Sequence, residues 1–584
     1  MIQFDDVSLG FAGHTLFEGA SFSLQKGERC GLVGRNGSGK STIFRLITRQ
    51  MESDKGRVSL PKDYRIGHLE QHINFTESTL IQEAALSLPD PDHLYKAEMI
   101  LFGLGFTEDD LYEHPSSFSG GYQLRLNLTK VLVAEPNCLL LDEPTNYLDL
   151  MAIRWLAGFL KKWQGEFILI SHDREFMDQV TTHTMGIHRE KVRKMKGSTL
   201  DFFTQILMEE EIHEKTRIKV EKRKDHLQGF IDRFGAKATK AGQAESRKKM
   251  LAREPVLEKL NQLSELSFSF NQAPFPGKKM VGAENITFSY GQDPLIENFS
   301  LEIEKGEKIA IIGKNGRGKS TLLRLLGNDL NPRDGKLSTS ENMRLGYFGQ
   351  THIDRLDPSH TIEEEIASAN HGLNYKEIKS IAGKMMFTGD LSEKGVSVLS
   401  GGEKSRVLLG KIVAKPCNLL LLDEPTHHLD IESIEALIDA IDDFEGAVII
   451  VTHSELILRR LALDKIILCG EAKQTLFLGN YDEFLDSVGW DDTTKQGASK
   501  QKAPNDRKDR AEAVSKRSAA LKPIEQKIES TEKQLQALDK QQKAFDPKKE
   551  EAKVAGIRQK QIEQLETDLY DLYALLEKTK ESFE

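Results

Sequence analysis

Two glycine-rich segments of the chain carry the residue types that bind phosphate groups. Residues 34–42 read Gly-Arg-Asn-Gly-Ser-Gly-Lys-Ser-Thr, and residues 313–321 read Gly-Lys-Asn-Gly-Arg-Gly-Lys-Ser-Thr. Each segment follows an apolar strand pattern and precedes a helical pattern, which is the context that a nucleotide phosphate-binding loop requires. In such loops backbone N–H groups converge on phosphate oxygens, a lysine neutralises their charge, and a serine hydroxyl can ligate Mg²⁺. The predicted nucleotide-binding residues are Gly34, Arg35, Asn36, Gly37, Ser38, Gly39, Lys40, Ser41 and Thr42, and Gly313, Lys314, Asn315, Gly316, Arg317, Gly318, Lys319, Ser320 and Thr321.

Two apolar runs further along the chain end in an Asp-Glu pair. Residues 138–143 read Cys-Leu-Leu-Leu-Asp-Glu, and residues 418–424 read Asn-Leu-Leu-Leu-Leu-Asp-Glu. The runs are typical of buried strands. We predict that Asp142 and Asp423 hold the Mg²⁺ shell and that Glu143 and Glu424 orient and deprotonate the attacking water.

All of these motifs occur twice, in the same order and at nearly the same spacing. The shift along the chain from Lys40 to Lys319 is almost equal to the shift from Glu143 to Glu424. A period this long far exceeds the roughly 20–50 residues of solenoid repeats. The sequence therefore predicts a duplicated α/β domain.

A further repeated motif resembles the signature of the ATP-binding-cassette (ABC) proteins. Ser-Gly-Gly occurs at 119–121 and again at 400–402, each time ahead of the Asp-Glu strand. In that family two cassettes pair head to tail, and the signature of one covers the phosphate held by the other. The resemblance implies two composite ATP sites. One would join Lys40 and Glu143 to Ser400, Gly401 and Gly402, and the other would join Lys319 and Glu424 to Ser119, Gly120 and Gly121.

The same resemblance implies roles for six more residues. Gln71 and Gln350 match the glutamines that lie near Mg²⁺, so the full predicted metal set is Ser41, Gln71, Asp142, Ser320, Gln350 and Asp423. His172 and His453 match the histidines that contact the terminal phosphate, and they complete the predicted catalytic set with Glu143 and Glu424. Phe11 and Tyr290 stand where an aromatic ring stacks on adenine. The Asp and Arg after His172 are replaced by Ser and Glu after His453. We therefore expect the two histidines to contribute unequally to hydrolysis.

Within the ABC proteins, the chain resembles family F, whose members act on ribosomes. The resemblance covers residues 1 to about 487 and rests on Asp-Glu-Pro-Thr-Asn-Tyr-Leu-Asp at 142–149, Ser-His-Asp-Arg-Glu-Phe at 171–176 and Ile-Asp-Arg-Phe-Gly-Ala-Lys-Ala-Thr-Lys-Ala at 231–241. In family F the segment between the cassettes is a helical pair that reaches P-site tRNA. Many members also carry an arm inserted in the first cassette, but here the stretch from Gln71 to Ser119 is no longer than the stretch from Gln350 to Ser400. We therefore expect no arm.

The charge of the segment between the cassettes agrees with a nucleic-acid contact. Residues 215–253 contain 13 Lys/Arg and 4 Asp/Glu, a net charge of +9, whereas the whole chain carries −10. A positive segment on an acidic protein is typical of a reader of phosphate backbones. The predicted nucleic-acid contacts, around the break between two helices, are Lys237, Lys240, Arg247, Lys248 and Lys249.

The predicted organisation has four parts. We expect a first ABC domain at 1–200, a basic helical linker at 201–270, a second ABC domain at 279–487 and a helical hairpin at 511–582. The hairpin is predicted from two runs of apolar residues at three- and four-residue steps on either side of a Pro-containing break, which is a coiled-coil pattern.

Composition excludes several other classes. The four cysteines are scattered, which argues against a zinc or iron–sulfur site and suits a reducing compartment. There is no signal-peptide pattern and no run of about 18 apolar residues, so we predict a cytoplasmic protein without membrane spans. We expect a monomer, because both cassettes lie in one chain.

These patterns predict an ATPase that binds the ribosome in its ATP-closed form, contacts rRNA and P-site tRNA, and leaves after hydrolysis. Two alternatives remain. A DNA- or structured-RNA-associated ABC ATPase could use the C-terminal hairpin as its contact, and a transporter ATPase subunit could have its spans on another chain. Such a subunit rarely needs a basic helical insert.

Overall fold

The computed structural model describes residues 1–11, 14–69, 75–146, 148–234, 268–349, 355–426, 429–471 and 473–489, with Leu266, Ile353, Lys527, Thr531 and Leu565 as single positions. The chain forms two units, residues 1–490 and 491–584. All the elements below belong to the first unit. The predicted hairpin at 511–582 lies outside the described residues except for its three single positions.

The first repeat contains nine strands in the described residues, and their order in the sheets is not their order in the chain. They are β1 (Ile2–Phe11), β2 (His14–Leu24), β3 (Arg29–Gly34), β4 (Lys55–Ser59), β5 (Ile66–His68), β6 (Cys138–Asp142), β7 (Glu166–Ile170), β8 (His183–His188) and β9 (Lys191–Lys196). One sheet has the order β5-β6-β7-β3-β8-β9, parallel except for β9, and a second, antiparallel sheet has the order β2-β1-β4.

Seven helices accompany these strands. They are α1 (Lys40–Ile47), α2 (Leu80–Ala85), α3 (Leu94–Gly103), α4 (Gly120–Val133), α5 (Leu150–Lys161), α6 (Arg174–Val180) and α7 (Thr199–Phe234). The central strands are covered on both faces, so their sequences are continuous apolar runs rather than alternating ones. Leu139, Leu140 and Leu141 of β6 are all fully buried.

The second repeat has the same topology. Its strands are β10 (Lys279–Phe288), β11 (Ile296–Glu304), β12 (Lys308–Gly313), β13 (Asp334–Thr339), β14 (Leu345–Phe348), β15 (Leu419–Asp423), β16 (Ala447–Val451), β17 (Lys465–Cys469) and β18 (Gln474–Leu478). Its helices are α8 (Lys319–Leu326), α9 (Ile362–Ala369), α10 (Tyr375–Lys384), α11 (Gly401–Ala414), α12 (Ile431–Asp442), α13 (Glu455–Arg460) and α14 (Tyr481–Ser487). The sheets have the orders β14-β15-β16-β12-β17-β18 and β11-β10-β13. This is the α/β fold with two tandem cassettes that the repeat predicts.

A long helix leaves the first cassette and carries the start of the basic segment. Helix α7 spans 36 residues. Its first turns are fixed to the cassette because Phe202 and Ile206 are buried in the core. Glu210 holds it to the β8–β9 hairpin, with Oε1 2.7 Å from His188 Nε2. The helix therefore has a fixed base and a basic continuation.

Two predictions from composition can be compared with the structure. Cys30, Cys138, Cys417 and Cys469 are all buried and free, and burial raises the pKa of each thiol to about 12. Within the residues that the structure describes, no helix combines the length and the apolar character needed to cross a membrane.

A buried carboxylate holds together the helices between the phosphate loop and the Asp-Glu strand of the first cassette. Glu83 of α2 is 0% exposed and lies 2.5 Å from Nζ of Lys130 on α4. It also accepts hydrogen bonds from the backbone N–H groups of Thr76 and Glu77, both at 2.9 Å. The second cassette repeats the ion pair with Glu365 of α9 and Lys411 of α11, where His360 Nδ1 lies 2.8 Å from the other carboxylate oxygen of Glu365. A carboxylate that accepts three donors is a strong tie between α2 and α4.

We predict that Glu83→Ala lowers the free energy of unfolding by about 2 kcal/mol, because the partly exposed Lys130 ammonium and the N–H groups of Thr76 and Glu77 lose an acceptor that is itself buried. Urea unfolding of the nucleotide-free protein, followed by far-UV circular dichroism, measures the change. Glu108→Ala, at an exposed acid of the same region, should stay within about 0.5 kcal/mol of wild type. Equal stability of the Glu83 variant and wild type would contradict the proposed tie.

Candidate functional site

The two phosphate loops connect β3 to α1 and β12 to α8. The lysine of each loop folds back over it. Lys40 Nζ donates to the carbonyl oxygens of Gly34 at 2.6 Å and Arg35 at 3.1 Å. Lys319 Nζ donates to Gly313 O at 3.0 Å and to Asn315 Oδ1 at 3.0 Å. Burial lowers the pKa of both lysines, and the nearby Glu143 and Glu424 oppose that shift. Each loop thus holds a cation at its centre, as the motif predicts.

The glycine before each lysine allows the loop to enter its helix. Gly39 and Gly318 precede α1 and α8 with φ angles of 100° and 81°. L-residues with side chains rarely adopt such angles. A Cβ at Gly318 would also lie 2.9 Å from Leu295 Cγ. Glycine at these positions is therefore a backbone requirement.

The predicted Mg²⁺ residues that the structure describes come together in pairs. Ser41 Oγ donates to Asp142 Oδ2 at 2.8 Å, and Ser320 Oγ donates to Asp423 Oδ1 at 3.0 Å. A cavity of about 650 Å³ opens beside Ser41, Asp142 and Glu143. A hydroxyl and a carboxylate next to open space fit Mg²⁺, which keeps several waters and takes few protein ligands. Gln71 and Gln350 lie outside the described residues.

Glu143 and Glu424 have an unusual backbone conformation. Their φ angles are 49° and 46°, in the left-handed region. Each backbone N–H still continues the strand ladder, since Glu143 N donates to Ile170 O and Glu424 N donates to Val451 O, both at 2.9 Å. Non-glycine residues at such angles cluster at functional sites. The backbone therefore changes direction sharply at the glutamate that follows β6 and at the glutamate that follows β15.

Each glutamate lies next to the histidine predicted to act with it. His172 Nε2 is 3.3 Å from Glu143 Oε1, and His453 Nε2 is 3.2 Å from Glu424 Oε1. Burial raises the pKa of both glutamates to about 8, and the neighbouring Asp142 or Asp423 adds to the shift. The four predicted catalytic residues therefore form two matching pairs, which also line one small cavity between the cassettes.

Reciprocal contacts bring each phosphate loop against the other cassette. Asp149, just before α5, accepts from the backbone N–H of Asn315 at 3.4 Å. Asp430, just before α12, accepts from the backbone N–H of Asn36 at 3.5 Å. Each aspartate also caps its own helix, because Asp149 accepts from Ala152 N and Asp430 from Ser433 N. The cassettes are thus paired head to tail through both loops.

Ion pairs and apolar contacts surround these loop contacts. Ion pairs between the cassettes in the described residues include Arg35–Glu432 at 2.7 Å, Arg154–Glu455 at 2.5 Å, Arg174–Glu435 at 3.3 Å and Arg459–Glu175 at 3.8 Å. Leu150 packs in the core of the second cassette, and Ile431 packs in the core of the first. Because these residues begin α5 and α12, both helices are anchored across the interface.

The signature residues lie at helix N-termini. Ser119 and Ser400 precede α4 and α11, and both serines are exposed. Ser400 forms a capping box with Glu403, whose carboxylate accepts from the serine N–H at 2.8 Å and from its hydroxyl at 2.7 Å. The positive end of each helix, with Gly120 and Gly121 or Gly401 and Gly402 in its first turn, suits an anion.

The remaining predicted residues divide into described and undescribed positions. Phe11 and Tyr290 are 48% and 63% exposed, and Tyr290 OH lies 3.5 Å from Thr321 Oγ1 at the end of its phosphate loop. The exposed Tyr290 ring beside the second phosphate loop agrees with adenine stacking there. Lys237, Lys240, Arg247, Lys248 and Lys249 lie outside the described residues.

Sequence reasoning missed Asp149 and Asp430 as interface residues. A signal was present, since the two aspartates occupy corresponding positions in the repeat, with the same offset as Glu143 and Glu424. Each precedes an apolar helix and so looked like a simple helix cap. Their second contact, to the opposite loop, required the structure.

The raised pKa of both glutamates predicts how stability depends on pH in the absence of nucleotide and Mg²⁺. Between the ordinary value of 4.5 and about 8, the folded protein holds protons that the unfolded chain has released, so stability falls as pH rises through this window. Glutamine mimics the protonated form. Glu143→Gln with Glu424→Gln should therefore raise Tm by about 3 °C or more at pH 8.5 and leave it unchanged near pH 5.

Differential scanning calorimetry at both pH values measures this difference, with Glu108→Gln as the exposed control. A double variant no more stable than wild type at pH 8.5 would show that folding does not raise the pKa of these carboxyl groups.

Comparisons with known proteins agree with this geometry. Residues 17–146 and 296–427 each match the ABC transporter family model, and residues 185–270 match a second model also described as ABC transporter. The chain is 32% identical to the probable ATP-binding protein YheS of Escherichia coli K12 over 88% of this chain and 85% of the relative. It is 34% identical to the probable ATP-binding protein YbiT of Escherichia coli O157:H7 over 84% of this chain and all of the relative.

A plant relative and two solved structures extend the comparison. The chain is 31% identical to ABC transporter F family member 2 of Arabidopsis thaliana over 83% of this chain and 79% of the relative. It also resembles archaeal ribosome recycling factor aABCE1 in complex with ribosomal stalk protein aP1 (TM-score 0.58, 19% identity, 87% of this chain and 98% of that one) and the RNase-L inhibitor (TM-score 0.57, 19% identity, 87% and 98%). At these identities the structures show the fold alone. The sequence relatives, together with the paired cassettes, show that the chain belongs to the ABC-F family and is an ATP-hydrolysing protein.

Proposed function

We propose that the protein is a translation factor that binds the ribosome with ATP held between its closed cassettes and leaves after hydrolysis. The observation that carries the proposal is the basic segment at 215–253, with a net charge of +9 in a chain of −10. It continues from α7, whose base is fixed to the first cassette. A positive segment on a rigid base can place cations against rRNA and P-site tRNA phosphates while the acidic remainder is repelled.

Two composite ATP sites supply the switch in this proposal. One consists of the Lys40 loop and the signature at Ser400, and the other consists of the Lys319 loop and the signature at Ser119. The reciprocal contacts of Asp149 and Asp430 support this pairing, because each loop already touches the cassette that would cover its phosphate. Closure and ATP binding are then coupled at both sites.

Within each site the proposed roles follow from position. Glu143 and Glu424 take the proton from the attacking water, and His172 and His453 orient them and contact the terminal phosphate. Ser41, Asp142 and Gln71, with Ser320, Asp423 and Gln350, are the proposed Mg²⁺ ligands. Bound Mg²⁺ would neutralise phosphate charge and favour the ionised form of each glutamate. Phe11 and Tyr290 are the proposed adenine contacts.

Ribosome binding has support from neighbours in structure as well as from charge. The archaeal factor aABCE1 is described as a ribosome recycling factor, and another structural neighbour is a model of ribosome-bound Pelota and ABCE1. These descriptions belong to those proteins. They make the ribosome the first partner to test, ahead of the DNA contact that the C-terminal segment would provide.

Trapping of the closed state tests the catalytic roles. Glu143→Gln with Glu424→Gln keeps the phosphate and Mg²⁺ residues but removes both bases, so ATP turnover should fall roughly 10²-fold. ATP binding should persist, and the variant should pellet with ribosomes in ATP but not in ADP. Turnover assays and sucrose-cushion sedimentation measure these effects. Wild-type turnover in the double variant would rule out these glutamates as bases.

Charge reversal tests the role of the basic segment. Changing Lys237, Lys240, Arg247, Lys248 and Lys249 to Glu in the trapped protein should weaken ribosome binding and flatten its salt dependence, because each lost phosphate contact releases one counterion fewer. ATPase activity without ribosomes should remain within twofold of the unchanged protein. Pelleting over a salt series measures both the affinity and the slope.

The matched control reverses five exposed lysines on the cassettes, Lys26, Lys62, Lys162, Lys415 and Lys473. It makes the same change in net charge, so general repulsion from the ribosome would affect both variants equally. A second comparison truncates the chain after residue 490. Intact binding after reversal of the segment, with loss of binding on truncation, would move the nucleic-acid contact to the C-terminal segment.

A further inference from the structure

Arg125 lies on α4, in the second turn after the signature serine, and its side chain is closely surrounded by other residues. Its side chain is 1% exposed. The guanidinium donates through Nη1 to Leu104 O at 2.8 Å and lies 4.6 Å from the centre of the Tyr122 ring. Gly105 has a φ of 94°, and a Cβ there would lie 2.9 Å from Arg125 Nη1. The surroundings therefore fix the position of the guanidinium closely.

This buried cation contacts the aspartate that reaches the other cassette. Arg125 Nη2 is 3.6 Å from Asp149 Oδ2, and the same oxygen accepts from the backbone N–H of Asn315 at 3.4 Å. Asp149 is itself 7% exposed in its side chain. Because burial of a carboxylate costs free energy unless a cation pairs with it, the Arg125 guanidinium offsets the cost of placing Asp149 at the interface.

The contacts continue from Asn315 into the second ATP site. Asn315 Oδ1 accepts from Lys319 Nζ at 3.0 Å and lies 3.1 Å from His453 Nε2. His453 Nε2 is in turn 3.2 Å from Glu424 Oε1. A continuous chain of polar contacts thus runs from the signature helix of the first cassette to the catalytic pair of the second.

The second cassette has a counterpart with different contacts. Arg406 lies on α11 at the position that corresponds to Arg125 in the repeat, with its guanidinium 5.3 Å from the centre of the Phe387 ring. Burial acts to raise the pKa of Asp430, but hydrogen bonds from Ser433 and the charge of Arg406 outweigh it and lower that pKa. The Ser433 hydroxyl donates to Asp430 Oδ1 at 2.6 Å. Each cassette therefore carries an arginine whose positive charge acts on its interface aspartate, by an ion pair in the first cassette and by its nearby charge in the second.

We propose that Arg125 is a positioning residue for hydrolysis at the second ATP site: through Asp149 it couples the position of signature helix α4 to Asn315, Lys319 and His453. This rests on the composite sites proposed above. Movement of α4 on closure displaces the guanidinium, and Asp149 transmits the displacement to the loop that holds the phosphate. Arg406 does the same for the first site through Asp430 and Asn36.

The test measures hydrolysis at each ATP site separately, by removing hydrolysis at the other site with a Glu→Gln substitution. In a Glu143→Gln background the second site supplies the hydrolysis, and in a Glu424→Gln background the first site does. Arg125→Gln should lower kcat about tenfold in the first background, with KM for ATP changed less than threefold, because the chain acts on the assembled site. In the second background the loss should be at least fivefold smaller. Arg406→Gln should show the reverse pattern.

The Arg125→Lys variant distinguishes a positioning role of Arg125 from a purely structural one. A lysine keeps the charge but cannot contact Leu104 O and Asp149 with the same planar fork, so it should recover part of kcat at the second site. Equal losses at both sites for Arg125→Gln, with no recovery by Lys, would overturn the proposal and leave a packing role. The same holds if Gln abolishes folding and Lys lowers both sites equally.

A double-mutant cycle keeps the test independent of the glutamate assignment. If neither Glu→Gln background lowers turnover, the proposed bases are wrong. The role of Arg125 is then tested by the double-mutant cycle alone. In the otherwise unchanged protein, Arg125→Gln with Asn315→Ala should lower kcat no more than twofold beyond the worse single variant, because both break one chain. Arg406→Gln with Asn315→Ala should lower kcat by at least the product of the two single losses, because this pair impairs both sites. Multiplied losses for the Arg125 pair would overturn the proposal.

Discussion

The contact between each phosphate loop and an aspartate of the opposite cassette is the constraint on which the rest of the structure depends. Asp149 and Asp430 each use one carboxylate twice, to begin a helix and to accept an N–H of the other cassette's loop. A buried carboxylate between two domains costs free energy unless cations and donors surround it. The ion pair of Arg125 with Asp149, the nearby charge of Arg406 at Asp430 and the ion pairs between the cassettes meet that requirement and stabilise the observed pairing of the cassettes.

The two glutamates proposed as bases show how the same closure would shape the chemistry. Glu143 and Glu424 have positive φ angles, a conformation that costs of order 1 kcal/mol or more and persists because the strand ladder and the neighbouring histidine fix both sides of the residue. Burial keeps them protonated up to about pH 8 in the absence of ligand. A carboxyl group of this kind becomes a base only when nearby positive charge favours its ionised form. In the proposed mechanism, proton abstraction by these glutamates would thereby be tied to the occupied, closed site.

Much of this arrangement could be predicted from sequence, for identifiable reasons. The apolar runs ending at Asp142 and Asp423 predict buried parallel strands, and the glycines at 34–39 and 313–318 predict the loops, because both are local patterns. The roles of Asp149 and Arg125 could not be predicted, since each depends on a contact with a residue distant in the chain. The left-handed backbone conformation of Glu143 and Glu424 could not be predicted from sequence either, because glutamate has no intrinsic preference for that conformation. The constant offset of the repeat does relate Arg125 to Arg406, but it does not show what either one contacts.

The duplication preserved backbone geometry more closely than side-chain partners, so the two ATP sites differ. Position 122 is tyrosine in the first cassette, and its counterpart in the second is Glu403. The Glu403 carboxylate accepts the Ser400 hydroxyl at 2.7 Å, whereas Tyr122 packs under Arg125. In the composite arrangement, Ser400 must therefore turn its hydroxyl away from a carboxylate before it can donate to phosphate in the Lys40 site. Ser119 faces no such competition from Tyr122, a side chain without a negative charge.

Similarly, Asp173 caps α6 after His172, whereas Ser454 makes no side-chain cap to α13 within the described residues. In the proposed composite sites each cassette thus contributes its differences to both, because each site would take its loop from one cassette and its signature from the other.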